Sequence, residues 1–323
     1  MTQIMHDSFS NNIPLTPLGL YLSLSRGVLI PHEFWMSARF RRKFFLRGLI
    51  MPVLTYRLLK MLTQHPAYDK MLLTQQRLPC RIHRPYLNNK MSRSERLAAL
   101  VHHYQRLPEL LGSRQFNAHL SVSGITLATL VGKDNQPYVL RFLSTHKLDR
   151  EGEATLILSD TAGQMLSEIT FTLCQRFNEN ALFIGGLQGP NATDAQNRIQ
   201  QATKSFHGLF PKRIVLEALL RLAQLLGIEN VYAVANTSHV YHSLRYTNRK
   251  KHMHADYDAL WEIAGGIRTP DGCYQLPLEI SRKRPEEVAS KKRAEYRRRF
   301  ELLDEINLQM AAFFYRTDRN ATL

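Results

Sequence analysis

The spacing of hydrophobic residues changes twice along this sequence, and the order of the changes constrains the fold more than any other feature. Residues 15–112 have mostly helical spacing, residues 116–190 alternate with a period of two, and helical spacing returns over residues 193–226. Within the alternating region, Lys133–Pro137 and Asp160–Gly163 are turn sequences between runs rich in β-branched and aromatic residues. Such turns are typical of antiparallel hairpins, so the sequence predicts a meander of about five strands between two helical regions.

The individual elements can be placed along the chain. Alternation and turn residues predict extended segments at His119–Ser123, Ile125–Val131, Tyr138–Phe142, Ala154–Leu158, Gln164–Phe177 and Leu182–Ile184. The elements expected after them are a helix over residues 211–226, a strand at Val231–Ala235, a helix at Tyr257–Ile263, a strand at Tyr274–Ile280 and a long basic helix from Arg284 to Tyr315.

This order predicts an α+β fold in which helices cover one mixed, mostly antiparallel sheet. We expect the helical N-terminal region, residues 1–112, to belong to the same domain as the α+β core, residues 113–323, which ends in the basic helix. A chain of 323 residues with 44% hydrophobic content can bury a full core.

The charge of the chain favours anionic partners. Lys and Arg number 43 against 27 Asp and Glu, a formal net charge of +16, and such an excess attracts nucleic acid, anionic lipid or phosphorylated small molecules. The three cysteines are widely spaced and form neither a disulfide framework nor a zinc-binding pattern. The N-terminus lacks the features of a signal peptide, and the most apolar stretch, Gly48–Tyr56, is shorter than the roughly 20 residues that cross a bilayer. These features predict a cytoplasmic protein, in contact with the inner membrane only peripherally.

Two basic segments are candidates for contact with an anionic surface. Residues 34–68 contain no Asp or Glu, while basic and large apolar residues interleave. A basic amphipathic helix of this kind can lie in a membrane interface, or it can pack as an ordinary helix on its own domain. The second segment, residues 282–299, is either a solvated helix face or a phosphate-contacting patch. The side chains predicted to contact a membrane or another anion are Arg39, Arg41, Arg42, Lys43, Arg47, Lys291, Lys292 and Arg293.

A glycine-bearing turn is expected where the strand Leu182–Ile184 ends. Gly185, Gly186, Gln188 and Gly189 lead into a predicted helix, and a helix that follows such a turn presents backbone N–H groups to phosphate. The order of strands, loop and helix resembles the acyl-CoA-binding GNAT acyltransferase fold, which implies that these four residues bind the cofactor, although the usual basic-x-x-Gly-x-Gly/Ala run is absent. The alternative is that the glycines form a bend or a bulge without any ligand.

His239 and Asn236 follow the predicted strand Val231–Ala235 and are the candidate catalytic residues. An imidazole with an ordinary pKa near ~6.5 suits acid–base work, and the adjacent amide would help to orient a substrate. Four histidines and two aspartates crowd this part of the chain without any standard metal-binding signature. A polar surface loop explains that cluster, so no metal site is predicted; its members are His239, His242, His252, His254, Asp256 and Asp258.

Several short strings, taken together in their order and spacing, resemble the VirK/YbjX family of bacterial proteins. The strings are Ile184–Pro190, His207–Lys212, Ala235–His239, Tyr257–Glu262 with Gly265–Gly266, Leu276–Pro277 and Lys291–Arg299. The resemblance runs from about residue 20 to the C-terminus. It implies a role in envelope integrity, virulence and tolerance of cationic antimicrobial peptides, but no particular reaction. Phe210 stands where the family leads us to expect a basic residue, which weakens an anion-binding role for that turn.

Three functions therefore remain open. The first is a membrane-peripheral accessory protein in envelope stress, virulence and antimicrobial-peptide resistance, whose partner is an anionic membrane surface or an acidic protein. The second is an acyltransferase that uses acyl-CoA or acyl-carrier protein, with His239 or Asn236 near the acceptor. The third is a nucleic-acid-binding stress protein, which is disfavoured because no nucleic-acid-binding motif accompanies the basic segments.

Overall fold

The N-terminal part of the chain is helical, as predicted. The computed structural model describes residues 13–144, 147–191, 194–242 and 256–321. The first α-helices are α1 (Pro17–Arg26), α2 (Ala38–Ile50), α3 (Pro52–Gln64), α4 (Tyr68–Thr74) and α5 (Arg93–His119), with 3-10 turns at Glu33–Trp35 and Leu78–His83.

Capping side chains fix where two of these helices begin. The hydroxyl of Ser37 accepts a hydrogen bond from the backbone N–H of Phe40 ahead of α2. Ser92 and Glu95 form a reciprocal capping box at the start of α5. Helix α5 runs past the predicted boundary at residue 112, with a break in its helical conformation at Gly112 (φ 74°), and therefore links the helical region to the sheet.

The sheet has the mixed, mostly antiparallel character that the sequence predicts. Its strands are β1 (Ile125–Val131), β2 (Pro137–Leu143), β3 (Ala154–Ser159), β4 (Met165–Arg176), β5 (Glu179–Gln188), β6 (Asn230–Ala233), β7 (Ile267–Arg268) and β8 (Tyr274–Leu276). Their spatial order is β1-β2-β3-β4-β5-β6-β8-β7. The pair β5–β6 is parallel and the other neighbouring pairs are antiparallel. The expected α+β class is confirmed.

Helices cover both faces of the central strands. The later helices are α6 (Ala195–Ser205), α7 (Pro211–Leu225), α8 (Tyr257–Ile263) and α9 (Arg293–Ala321). Both α5 and α7 pack against β4, and every residue from Leu166 to Cys174 in that strand is buried. Side chains of a strand point alternately to opposite faces, so a continuous buried run means that neither face of β4 is open to solvent.

Several elements differ from their predicted bounds; the strand expected at Tyr274–Ile280, for example, ends at Leu276. His119–Ser123 was expected to be extended, but α5 continues through His119, and the backbone carbonyl of that residue accepts a hydrogen bond from Ser144 N–H (3.0 Å). The basic C-terminal helix begins at Arg293, because the residues before it form 3-10 turns. Strand β5 extends beyond Ile184 through both glycines to Gln188, so any turn there follows Gln188 rather than Gly185.

Candidate functional site

Helix α2 presents an exposed face that changes character along its length. The first two turns expose Arg39, Arg42 and Lys43, and the last two turns expose apolar side chains. The apolar stripe continues into α3; its members are Phe45, Leu46, Leu49, Ile50, Val53 and Tyr56, of which Ile50 is 72% exposed and Val53 61%. We call these nine residues the basic–apolar surface.

The apolar exposure is concentrated in this part of the molecule. Of 19 large hydrophobic residues exposed among the described residues, 11 lie between residues 15 and 56. The inner face of α2 is anchored by buried Phe44 and by Gly48, where a Cβ atom would lie 2.4 Å from the ring of Tyr21 on α1. The close packing of α1 on α2 at Gly48 leaves the opposite side of α2 facing outwards.

The two basic segments differ in how their charges are neutralised. In the described part of the chain, Arg39, Arg42 and Lys43 form no ion pair with a carboxylate. Around α9 three arginines are paired, Arg282 with Asp304 (2.6 Å), Arg297 with Glu301 (3.8 Å) and Arg299 with Glu295. Lys291, Lys292 and Arg298 are exposed and form no ion pair among the described residues. What distinguishes the N-terminal segment, among the described residues, is that its exposed cations lie beside a continuous stripe of exposed apolar side chains.

Two of the predicted anion contacts have structural partners instead. The guanidinium of Arg41 donates to the backbone carbonyls of Trp35 and Met36, both at 2.7 Å. Arg293 Nε donates to the carbonyl of Pro285 (2.9 Å), which ties the 3-10 turn to the start of α9. Lys291 and Lys292 are exposed in the turn before α9.

A cavity of about 370 Å³ lies between α2 and the 3-10 segment Leu78–His83. Its lining is Ser37, Arg39, Phe40, Lys43, Phe44, Arg47, Cys80, His83 and Arg84. Burial, with the nearby charges of Arg47 and Arg84, lowers the pKa of His83 to about 4, so the imidazole is neutral at pH 7. The cavity adjoins the basic half of the basic–apolar surface, since Arg39 and Lys43 belong to both.

Gly185 and Gly186, two of the predicted cofactor-binding residues, lie in β5 and make room for Glu151, whereas Gly189 follows the strand. A Cβ atom at Gly185 would lie 1.9 Å from the backbone oxygen of Glu151, and one at Gly186 would lie 1.7 Å from Glu151 Oε2. The register between β4 and β5 shifts at this point, where Thr170 pairs with Gly186 and Phe171 with Ile184. The structure thus shows the bulge alternative at Gly185, with Glu151 packed against it.

Glu151 and His239 form a buried pair of neutral groups. Burial raises the pKa of Glu151 to about 8, although the hydrogen bond from Gln188 opposes the shift. Burial lowers the pKa of His239 to about 4. His239 Nδ1 accepts from the N–H of Tyr241 (3.3 Å), which places the ring proton on Nε2, 3.7 Å from Glu151 Oε1. At pH 7 this contact joins two neutral groups and is not a salt bridge.

Asn236 is tied to helix α8 and not to His239. Its side-chain Nδ2 donates to Asp256 (2.8 Å), its Oδ1 accepts from the N–H of Tyr257 (2.8 Å), and its backbone N–H donates to Asp258 (2.7 Å). These bonds hold the first turn of α8 against the chain that follows β6. The predicted His239–Asn236 pair is therefore divided between two separate hydrogen-bonded groups.

Aromatic side chains of α8 fill the place where β5 and β6 part. The parallel pairing covers Ala181–Ile184 and Asn230–Ala233, after which Trp261 Nε1 donates to the carbonyl of Val234 (2.8 Å). The N–H of Leu187 donates to Tyr257 Oη (3.3 Å), and Gln188 Nε2 donates to the same oxygen (3.1 Å). A thioester arm along β5 would have to displace Tyr257, so this arrangement gives the acyltransferase alternative no support.

Sequence reasoning missed a second buried polar network. Arg81 contacts Glu153 (3.0 Å) and Asp149 (3.1 Å), and Tyr104 donates to Glu153 (2.6 Å). Gln75 accepts from Arg81 (2.6 Å), so residues of the helical region are bound to the segment before β3. The one signal in the sequence was a pair of acidic residues, Glu151 and Glu153, immediately ahead of an apolar strand.

Only two of the four clustered histidines, His239 and His242, belong to the described residues. His252 and His254 lie outside the described residues. His239 stacks on Tyr257, with ring centroids 5.3 Å apart.

A helix that crosses a bilayer is long and apolar, and each helix of the described residues is too short or too polar to do so.

The fold and its surface define an α+β protein with a helical, basic N-terminal region, and comparison with known proteins supplies the family. A family model described as "Protein of unknown function (DUF535)" matches residues 33–312, and the chain belongs to this family. It is 44% identical over 314 residues to a protein of Escherichia coli described as uncharacterized protein YbjX, covering 97% of this chain and 95% of the relative. An uncharacterized protein of Haemophilus influenzae is 31% identical over 228 residues, 70% of this chain and 73% of the relative. The resemblance to the VirK/YbjX family is confirmed.

Proposed function

We propose that this protein binds anionic membranes peripherally through the basic–apolar surface and acts there as an accessory protein of the bacterial envelope. The observation that supports this is the division of the exposed face of α2 into a basic half and an apolar half, without a carboxylate anywhere in residues 34–68. Such a face suits the boundary between lipid headgroups and acyl chains. Attachment from the cytoplasmic side would fit the envelope-stress and virulence roles that the family resemblance implies.

The two halves of the surface would contribute binding energy of different kinds. Transfer of an exposed Leu or Ile side chain out of water is favourable by about 1.5–3 kcal/mol when burial is complete, and Leu46, Leu49 and Ile50 are all more than half exposed. Each Lys or Arg near an anionic leaflet adds about 1 kcal/mol. Partial insertion of a few such residues would give binding that is reversible and sensitive to salt.

A lipid surface fits these residues better than a protein partner does. An interface with a protein would carry a polar rim that makes direct hydrogen bonds. Here the exposed apolar stripe along α2 and into α3 is flanked by the long cationic side chains of Arg39, Arg42 and Lys43. Phosphates at a membrane surface can meet such cations without a fixed geometry.

Co-sedimentation with vesicles tests the proposal. The protein should bind vesicles that contain phosphatidylglycerol at low salt, bind pure phosphatidylcholine weakly, and lose affinity as salt is raised. Replacing two apolar residues of the surface, Leu49→Ser with Ile50→Ser, should weaken binding by at least about tenfold, because two exposed apolar side chains are removed.

A matched control separates this surface from apolar exposure elsewhere. Val122 and Ile263 are 97% and 77% exposed and lie outside the surface. Val122→Ser with Ile263→Ser should leave vesicle binding unchanged. The proposal would be wrong if wild-type protein stayed in the supernatant at low salt, or if both double variants lost affinity equally.

A further inference from the structure

The cavity beside α2 has an unusual electrostatic composition. Four of its lining residues are cationic, namely Arg39, Lys43, Arg47 and Arg84, and none is acidic. Its only histidine is neutral at pH 7, and Arg39, Lys43 and Arg84 form no ion pair with a carboxylate in the described part of the chain. A volume of about 370 Å³ is within the usual range for small-ligand sites.

The arrangement of these cations costs stability in the absence of an anion. Arg39 and Lys43 are four residues apart on one face of α2, and like charges at this spacing destabilise a helix by about 0.2–0.5 kcal/mol per pair. Arg84 approaches from a different element. Among the described residues no carboxylate forms an ion pair with any of these three cations, so an anionic ligand in the cavity would relieve the repulsion.

Two features hold the cavity in shape before any ligand binds. The guanidinium of Arg84 lies over the ring of Phe40, 5.8 Å from its centroid, and its backbone carbonyl accepts from Arg96 Nη1 (3.2 Å). His83, on the 3-10 segment, contacts Thr55 of α3 through Nε2 (3.0 Å). Arginines held against an aromatic ring in this way are suited to bidentate recognition of phosphate oxygens.

From this geometry we propose that the cavity binds the phosphomonoester or pyrophosphate headgroup of a membrane lipid. A group that carries more than one negative charge matches the unpaired cations Arg39, Lys43 and Arg84 better than a singly charged phosphodiester does. The lipid source follows from position, since Arg39 and Lys43 line the cavity and also lie on the same helix as the apolar stripe at Leu46 and Leu49. The inference rests on the proposed membrane binding and assigns the lipid class that this binding selects.

Vesicles that differ only in headgroup test the inference. Phosphatidic acid supplies a monoester and phosphatidylglycerol a diester, each mixed into phosphatidylcholine at matched surface charge. Wild-type protein should bind the phosphatidic acid vesicles about tenfold more tightly. Arg84→Gln should abolish that preference while binding to phosphatidylglycerol persists, whereas Arg42→Gln, on the exposed face but outside the cavity, should weaken binding to both and preserve the ratio.

The outcomes distinguish this inference from the proposed function. Equal binding of wild type to both vesicles, or a preference that survives in Arg84→Gln, would overturn the headgroup site and leave membrane binding intact. Lys43→Gln provides a second test if Arg84→Gln does not fold. Titration with glycerol 3-phosphate tests whether the ligand is a soluble phosphomonoester instead of a lipid. Binding of this compound that depends on Arg84, without any vesicle binding, would overturn both the lipid assignment and the proposed function.

Discussion

The carboxyl group of Glu151 is buried against a glutamine amide and a neutral imidazole, and it is protonated in the folded protein at neutral pH. The raised pKa of about 8 lies far above the ordinary value of about 4.3 in an unfolded chain. Between these values the folded protein binds the proton and the unfolded chain does not. The contribution of Glu151 to stability is therefore fully present below about pH 4.3 and is lost as the pH rises from there to about 8.

Glu151→Gln should remove this pH dependence. The variant should gain stability relative to wild type as the pH rises from 5 to 9, on the order of 4 kcal/mol at about 1.4 kcal/mol per pKa unit, because the amide needs no proton. Urea denaturation at several pH values measures the difference. A constant difference between the two proteins over this range would show that Glu151 ionises normally in the fold.

The packing role of Gly185 in β5 can be tested by substitution. Gly185→Ala should destabilise the protein by about 1–3 kcal/mol, because its Cβ atom would meet the backbone oxygen of Glu151. Gly189→Ala is the matched control, since the nearest atom would lie 3.7 Å from its Cβ, and it should be nearly neutral. Thermal unfolding compares the two variants; equal melting temperatures would contradict the packing role of Gly185.

At the scale of elements, Arg81 joins the helical region to the chain that enters β3. Arg81→Met should cost about 3–5 kcal/mol, because it leaves Glu153 and Asp149 buried without their cation. Adding Glu153→Gln should recover part of this loss, since the amide can still accept from Tyr104. Arg282→Met, which breaks an exposed pair with Asp304, should cost less than about 1 kcal/mol. Additive single and double effects at Arg81 and Glu153 in urea denaturation would refute the coupling.

Elements set by local patterns were predictable from the sequence. The hairpins at Lys133–Pro137 and Asp160–Gly163 and the helix Tyr257–Ile263 are found at or near their expected positions, because turn residues and hydrophobic period act over short distances. His119–Ser123 alternates like a strand, yet α5 continues through His119, which a long-range bond from Ser144 holds in place. Local alternation carries no information about such a partner.

The candidate site was predictable only where its residues are adjacent in sequence. The basic–apolar surface follows from the helical spacing of residues 39–56, and the structure adds which side of α2 is open. Glu151 and Arg81 were missed because Gln188 lies 37 residues from Glu151 and Glu153 lies 72 residues from Arg81 in sequence, and burial rather than residue type determines their chemistry. Gly185 and Gly186 lie in β5, and the residue packed against both of them is Glu151 of the protein itself.

For the whole molecule, net charge matters less than where charge is left unpaired. The chain carries a formal +16, but three arginines at or beside α9 meet carboxylates, while the cations on the exposed face of α2 do not. A nonspecific polyanion binder would need cations over a wide area. On the described surface, the exposed face of α2 instead places a small group of unpaired cations directly beside apolar side chains.

The acid side of the stability curve depends on histidines spread through the whole fold. Burial lowers the pKa of His83 to about 4, of His119 to about 3 and of His239 to about 4. The unfolded chain takes up these protons near ~6.5, so it binds more protons than the folded protein as the pH falls below that value, and stability is lost on the way to pH 3. Repulsion among the excess cations adds to this loss.

These opposing effects predict a maximum of stability near pH ~6.5, since the histidines lose stability below it and Glu151 reduces stability up to about pH 8. Urea denaturation followed by the fluorescence of Trp35 and Trp261, both fully buried, measures the curve. His119→Gln should flatten the acid limb and leave the decline above the maximum unchanged, because only the imidazole is removed. If stability rose steadily from pH 5 to pH 9, or if the acid limb of His119→Gln kept the wild-type slope, burial of neutral histidines would not be what makes the fold sensitive to acid.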